Sequence, residues 1–257
     1  MTNLEDQWES LKNALCESYK TYKSDELMLR FEKDCAYLKK AFLRTETLWE
    51  CNFKTTKDVR LVMLSEAPLF GCKEAYFYNT ATPFTSFFSR DDAMAILLKT
   101  SEEQIGDAQY EKKIILKALA DAGFVILDLF PFALNKLHTG IGYSSPTKAE
   151  ALNACLKSEY RKLSPKRYQT LFMATASIYF IPKLKRLIGR NSFPRLVFRY
   201  KRLQDAVGSC VETELIANGL HPTAVKSISS GNIPMDQKKL KRIWGLCSRD
   251  RQYIHEV

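Results

Sequence analysis

The chain has 257 residues and ordinary hydrophobic content, which suits one α/β core with an extension, or two small domains, and is long enough to need no disulfide or metal staples. Its 39 Lys and Arg against 29 Asp and Glu leave a net charge of +10, which favours polyanionic partners. No apolar run reaches membrane-spanning length, the N-terminus lacks a signal-peptide pattern, and the seven scattered cysteines contain no C-x-x-C, so the expectation is a reduced, cytoplasmic, monomeric protein with no membrane or obligate protein partner.

Residues 3 to about 50 read as helical. Leu4, Trp8, Leu11 and Leu15 recur at helical spacing, as do Leu27, Leu29, Phe31, Cys35, Leu38 and Phe42, with no Gly or Pro among them. This predicts an N-terminal helical extension over 1–57, packed on an α/β domain over 58–257. A short apolar strand follows from Val59 to Leu64 and ends at Ser65-Glu66-Ala67-Pro68. An aromatic loop then runs from Phe70 to Phe88. Helices are predicted at 91–98 and 102–122, then a buried strand from Phe124 to Leu127 ending at Asp128. Its exit loop holds Pro131, Gly140, Gly142 and Pro146. A helix over 147–163, a strand from Thr170 to Ala174 and a basic helix over 178–188 come next. Val211 to Ala217 reads as a strand leading to His221, and a last helix covers 235–246. Strands alternating with helices imply a three-layer αβα fold on a central, mostly parallel four-stranded sheet. Sites in such sheets lie beyond the carboxyl ends of the strands, where this reading places Glu66, Asp128 and His221.

The positive charge is clustered. From Ile181 to Arg202 the chain carries Lys183, Lys185, Arg186, Arg190, Arg195, Arg199, Lys201 and Arg202 with no acid, and Lys238, Lys239, Lys241 and Arg242 form a second group. A basic face of this kind attracts nucleic acid, so Lys183, Arg195, Arg199 and Lys201 are candidate phosphate contacts.

Ser65-Glu66-Ala67-Pro68 at a strand end, Thr82-Pro83-Phe84 in an aromatic loop, Leu127-Asp128-Leu129-Phe130-Pro131, then His221-Pro222-Thr223: in this order the motifs resemble the uracil-DNA glycosylase superfamily, on its single-strand-selective and broad-specificity side. The resemblance covers about residue 58 to the C-terminus. It implies that Glu66 handles water, with Ala67 and Pro68 beside the base, and that Phe84 stacks on a flipped base, with Phe77 and Tyr78 as alternatives. It also implies that Asp128 reads the base edge, that His221 steadies the departing base, that the residues after it, chiefly Ala224, Val225 and Lys226, fill the hole left in the stack, and that Thr223 contacts DNA with Val225 and Lys226. The cysteines lack the spacing of the iron–sulfur members, so neither a cluster nor any other cofactor or metal is expected.

The chemistry is coherent. A base must leave the stack before its glycosidic bond can be attacked. Cleavage builds positive charge on the sugar, which a carboxylate at Glu66 can face, and negative charge on the base, which a donor at His221 can face. Asp128 stands where the family has asparagine. An ionised carboxylate only accepts hydrogen bonds, which suits the amino group of a cytosine-type base. The resemblance extends to glycosylases that remove bulky modified cytosines from phage DNA in bacterial defence. The alternatives are a uracil or damaged-base repair glycosylase, and a module of the same fold that only holds DNA.

Overall fold

A computed structural model of the chain describes residues 3–20, 25–56, 58–68, 74–85, 88–97, 108–133, 166–188, 194–220, 226–229, 238–239 and 242–243. The two apolar runs bounded by turn residues form neighbouring strands, β1 (Leu61–Ser65) and β2 (Phe124–Asp128), every residue of which is buried. They are joined by β3 (Arg195–Tyr200) and β4 (Lys226–Ser229) into a four-stranded sheet of order β2-β1-β3-β4. All three pairings are parallel.

Among the described residues seven helices flank this sheet: α1 (Leu4–Lys20), α2 (Asp25–Thr55), α3 (Arg90–Ile96), α4 (Ala108–Asp121), α5 (Lys166–Ala176), α6 (Phe180–Ile188) and α7 (Lys201–Ala217). The link from β1 to β2 travels one way across the sheet, and the link from β2 to β3 travels back past β1. Right-handed crossovers therefore put α3 and α4 on one face and α5, α6 and α7 on the other, the three-layer αβα arrangement expected from the sequence. None of the described helices is long and apolar enough to cross a membrane.

The N-terminal helices share the core of the sheet. Trp8, Leu11 and Leu15 on α1 and Leu38, Phe42, Trp49 and Phe53 on α2 are buried in one cluster with the strands. The helix stripe read from Trp8 to Leu15 and from Leu38 to Phe42 is the face that packs, while Leu4 at its start is half-buried. Trp49 also closes the sheet edge. Its Nε1 donates to the Ile126 carbonyl at 3.1 Å, and the Tyr78 hydroxyl accepts from Ile126 N at 2.7 Å and donates to Ile126 O at 3.2 Å. On an outer strand these backbone groups would otherwise be a row of unpaired donors and acceptors.

Local signals explain the element ends. Ser89 and Asp92 form a reciprocal capping box at the start of α3. Gly123, with φ +82°, turns α4 into β2, and a Cβ there would meet the Asp58 carbonyl at 2.1 Å.

Two strand predictions are overturned. Thr170 to Ala174 lies inside α5, where Leu171, Phe172, Thr175 and Ala176 are buried and Met173 is exposed, a helical rather than an alternating pattern. Val211 to Ala217 lies inside α7, whose buried stripe Leu203, Ala206, Val207, Val211 and Leu215 has helical spacing. The strands that complete the sheet, β3 and β4, were not predicted. The predicted helix over 147–163 lies outside the described residues. Of the last predicted helix, residues 238–239 and 242–243 are described, and they are helical.

Candidate active site

β1 and β2 end level with one another: Ser65 pairs with Asp128 in the parallel register. The pairing continues past the strands, with Leu129 N donating to Ser65 O at 2.9 Å and Phe130 N to Glu66 O at 3.0 Å. This fixes the backbone of Glu66 and Asp128 at the carboxyl edge of the sheet, where the sequence places them.

Both carboxylates are buried, at 3 % relative exposure each. They face different partners. Glu66 Oε2 accepts from the hydroxyl of Tyr200, the last residue of β3, at 2.9 Å, while Glu66 Oε1 is buried with no hydrogen-bond partner. A buried carboxylate oxygen without a donor is costly, and such atoms mark sites where a water or ligand is held. Burial, together with the charge of Glu66, pushes the Tyr200 hydroxyl well above its ordinary pKa, so it stays protonated and remains a donor.

Asp128 Oδ2 accepts from the Tyr76 hydroxyl at 3.2 Å, and the Ser65 hydroxyl also bonds this carboxylate. Burial pushes the Asp128 pKa up to about 6, while Lys183 and the bonds from Ser65 and Tyr76 pull it the other way. The Tyr76 hydroxyl is held well above its ordinary value by burial and by the Asp128 charge.

Beside Asp128 lies a small pocket. Ser65, Ala67, Pro68, Tyr76, Phe77 and Asp128 wall it, and it encloses about 20 Å³, room for about one water. Four residues named from the sequence, Ala67, Pro68, Phe77 and Asp128, thus meet at one cavity, and Glu66 sits in the chain between two of its wall residues.

The three candidate stacking rings separate. Phe77 is half-buried, lines the pocket, and packs edge-on against Tyr78 and Phe88, each at 4.8 Å between centroids. Tyr78 is buried, and its hydroxyl is spent on the Ile126 backbone, so it seals the sheet edge. Phe84 packs on Phe77 and Phe88, and the Lys112 ammonium sits 5.4 Å from its ring centre. Phe77 is the ring at the cavity. Lys112 was not foreseen. It is 1 % exposed, and its ammonium donates to Asn79 O at 2.8 Å and to Tyr76 O and Pro83 O at 3.4 Å, pinning the loop that carries Tyr76 and Phe77. Burial pushes its pKa down to about 8.

Among the described residues of the basic stretch the cations differ in burial and partners. Lys183 is buried: it donates to Glu46 Oε1 at 2.6 Å and to the Tyr179 hydroxyl at 3.1 Å, and lies 4.2 Å from the Trp49 ring centre. Arg199 is 3 % exposed. Both of these candidate phosphate contacts are therefore buried as placed. Arg186 forms a two-pronged pair with Glu50, Lys185 bonds Asn218, and Lys201 pairs with Asp205. Arg195 is half-buried and opens β3, whereas Lys201 follows its carboxyl end, so about 20 Å of strand separates them. Of the four candidates, Lys201 is the exposed cation at the carboxylate end of the sheet.

His221, Thr223 and Val225 lie outside the described residues, as does the side chain of Lys226. The segment expected to deliver His221 from a strand end is helix α7, and the next strand starts at Lys226. The side chains that sequence reasoning missed, Tyr76, Tyr200, Ser65 and Lys112, are hydrogen-bonding residues in segments read as loop, basic stretch, strand and helix. No protein-family model, no curated protein and no solved structure matches this chain.

Proposed function

We propose that the protein is a DNA glycosylase that holds an extruded base at the Asp128 pocket and hydrolyses its bond to the sugar. One observation carries the reading: two buried carboxylates stand on neighbouring strand ends, Asp128 at an aromatic-walled pocket and Glu66 with one oxygen unpartnered. A flipped base stacks on Phe77 with its polar edge toward Asp128, an arrangement whose stacking contributes on the order of 1–3 kcal/mol. Glu66, oriented through Oε2 by Tyr200, keeps Oε1 for the attacking water. The water oxygen bonds to C1′ and its proton passes to Glu66. The C1′–N bond breaks with its electron pair leaving on the base, which takes up a proton from solvent. The negative charge of Glu66 also steadies the positive charge that develops on the sugar. The net positive charge and the exposed Lys201 at this end of the sheet suit a polyanionic strand.

The test is base release. Oligonucleotides, each carrying one candidate base, are incubated with the protein and then treated with alkali, which cuts at abasic sites. Cleavage by the wild type, lost in Glu66→Gln while DNA affinity is kept, is the expected result. DNA binding with no cleavage of any substrate would leave a binding module in place of an enzyme.

A further inference from the structure

The hydrogens around Asp128 are already committed. A hydroxyl carries one hydrogen, and the Tyr76 hydrogen points to Asp128 Oδ2. The Ser65 hydroxyl is bonded to the same carboxylate. Beyond those bonds, what these side chains keep is lone pairs: those of the carboxylate, of Tyr76 Oη and of Ser65 Oγ. Thr85, the remaining hydroxyl on the wall, can turn either way. Apart from it, the side chains on the wall are Ala67, Pro68, Ala75, Phe77 and Ile126, which offer no hydrogen-bonding group. The side chains at the polar end of the pocket are thus acceptors set among apolar ones.

We infer that this pocket selects nucleobases bearing an exocyclic amino group, cytosine-type or adenine-type, and rejects uracil and thymine. This rests on the glycosylase reading above and names its substrate class. An amino group brings two N–H donors to these acceptors. The O4 carbonyl of uracil, placed at the same point, sets acceptor against acceptor and leaves buried oxygens unpaired. Asparagine in place of Asp128 would offer an N–H to such a carbonyl, so the carboxylate is the residue that sets the preference. Ordinary paired bases are protected by the cost of extrusion, which is least for bases that are mispaired or already unpaired.

Two measurements test this separately. Single-stranded oligonucleotides carrying one cytosine, 5-hydroxymethylcytosine, adenine or uracil are compared for base release. The same bases on 2′-fluoro sugars, which resist cleavage, are compared for binding. The amino-bearing bases are expected to exceed uracil by about ten- to a hundredfold, and Asp128→Asn should shrink or invert that ratio. If this variant does not fold, the wild-type ratio decides alone. Uracil released or bound as well as the amino-bearing bases by the wild type would overturn the inference. Absence of release from every substrate would instead refute the glycosylase reading, and the 2′-fluoro binding ratio would still test the selectivity.

Discussion

Replacing Lys183 separates a phosphate contact from a buried structural charge. Lys183 and Glu46 are each about 4 % exposed at the side chain and 2.6 Å apart, with Tyr179 and Trp49 closing the site around them. Lys183→Met keeps most of the side-chain volume but leaves Glu46 buried without its counter-ion. Breaking a pair of this kind costs about 3–5 kcal/mol, a fall in melting temperature on the order of 10 °C for a chain of this size. The double variant Glu46→Met/Lys183→Met removes both desolvated charges and should recover most of that loss. Urea unfolding of the wild type, both single variants and the double variant gives the coupling directly. The charge of Lys183 also holds the Asp128 pKa down, so its loss should move that carboxyl further up. A Lys183→Met protein with unchanged midpoint and weakened, less salt-dependent DNA binding would refute this account and return Lys183 to the DNA surface.

Other consequences follow from the same contacts. Asp128, raised from an ordinary 3.8 to about 6, binds its proton more tightly in the folded chain, so its contribution to stability is fullest below 3.8 and is lost as pH rises through about 6. Asp128→Asn should flatten that fall in a pH series of unfolding curves, and a slope identical to the wild type would show that the carboxyl does not titrate there. Tyr78→Phe strips the partner from Ile126 N–H at the sheet edge and should cost about 1–3 kcal/mol in urea unfolding, whereas a change below about 0.5 kcal/mol would mean that the edge is paired some other way. Lys112→Met removes three carbonyl contacts and should speed hydrogen exchange at the Asn79 and Thr82 amides. It should also flatten a rise in stability above about pH 8, where the folded lysine sheds a proton that the unfolded chain still holds. Unchanged exchange would show that the loop is held without it.

Half of the sheet was legible because β1 and β2 are buried on both faces and read as unbroken apolar runs ended by Ser65-Glu66 and Asp128. β3 was hidden by its own charges: Arg195 and Arg199 flank Leu196, Val197 and Phe198, so a strand read as part of a basic stretch. β4 is four residues long and opens on Lys226 and Ser227, too short and too polar to show a period. The two false strands share one cause. Thr170–Ala174 and Val211–Ala217 are apolar or alternating over five to seven residues, and only the longer windows, from Lys166 and from Leu203, show the helical stripe. At the site, strand ends placed Glu66 and Asp128 correctly because their position needs only the strand before them. Tyr200 could not be found in that way, since its role depends on β3 lying next to β1. Whether a cation is paired or exposed is a tertiary property, and the described residues between Lys183 and Arg202 belong to a helix, a strand and a second helix.

The most direct test of the central claim is where a water oxygen ends up. DNA is incubated with the protein in ¹⁸O-labelled water and the products are weighed by mass spectrometry. Hydrolysis of the N-glycosidic bond predicts an unlabelled free base and one ¹⁸O at C1′ of the abasic sugar, read immediately or after reductive trapping so that exchange does not erase it. Label found in the base would mean deamination, and label found in a phosphate would mean strand scission; either result contradicts a glycosylase.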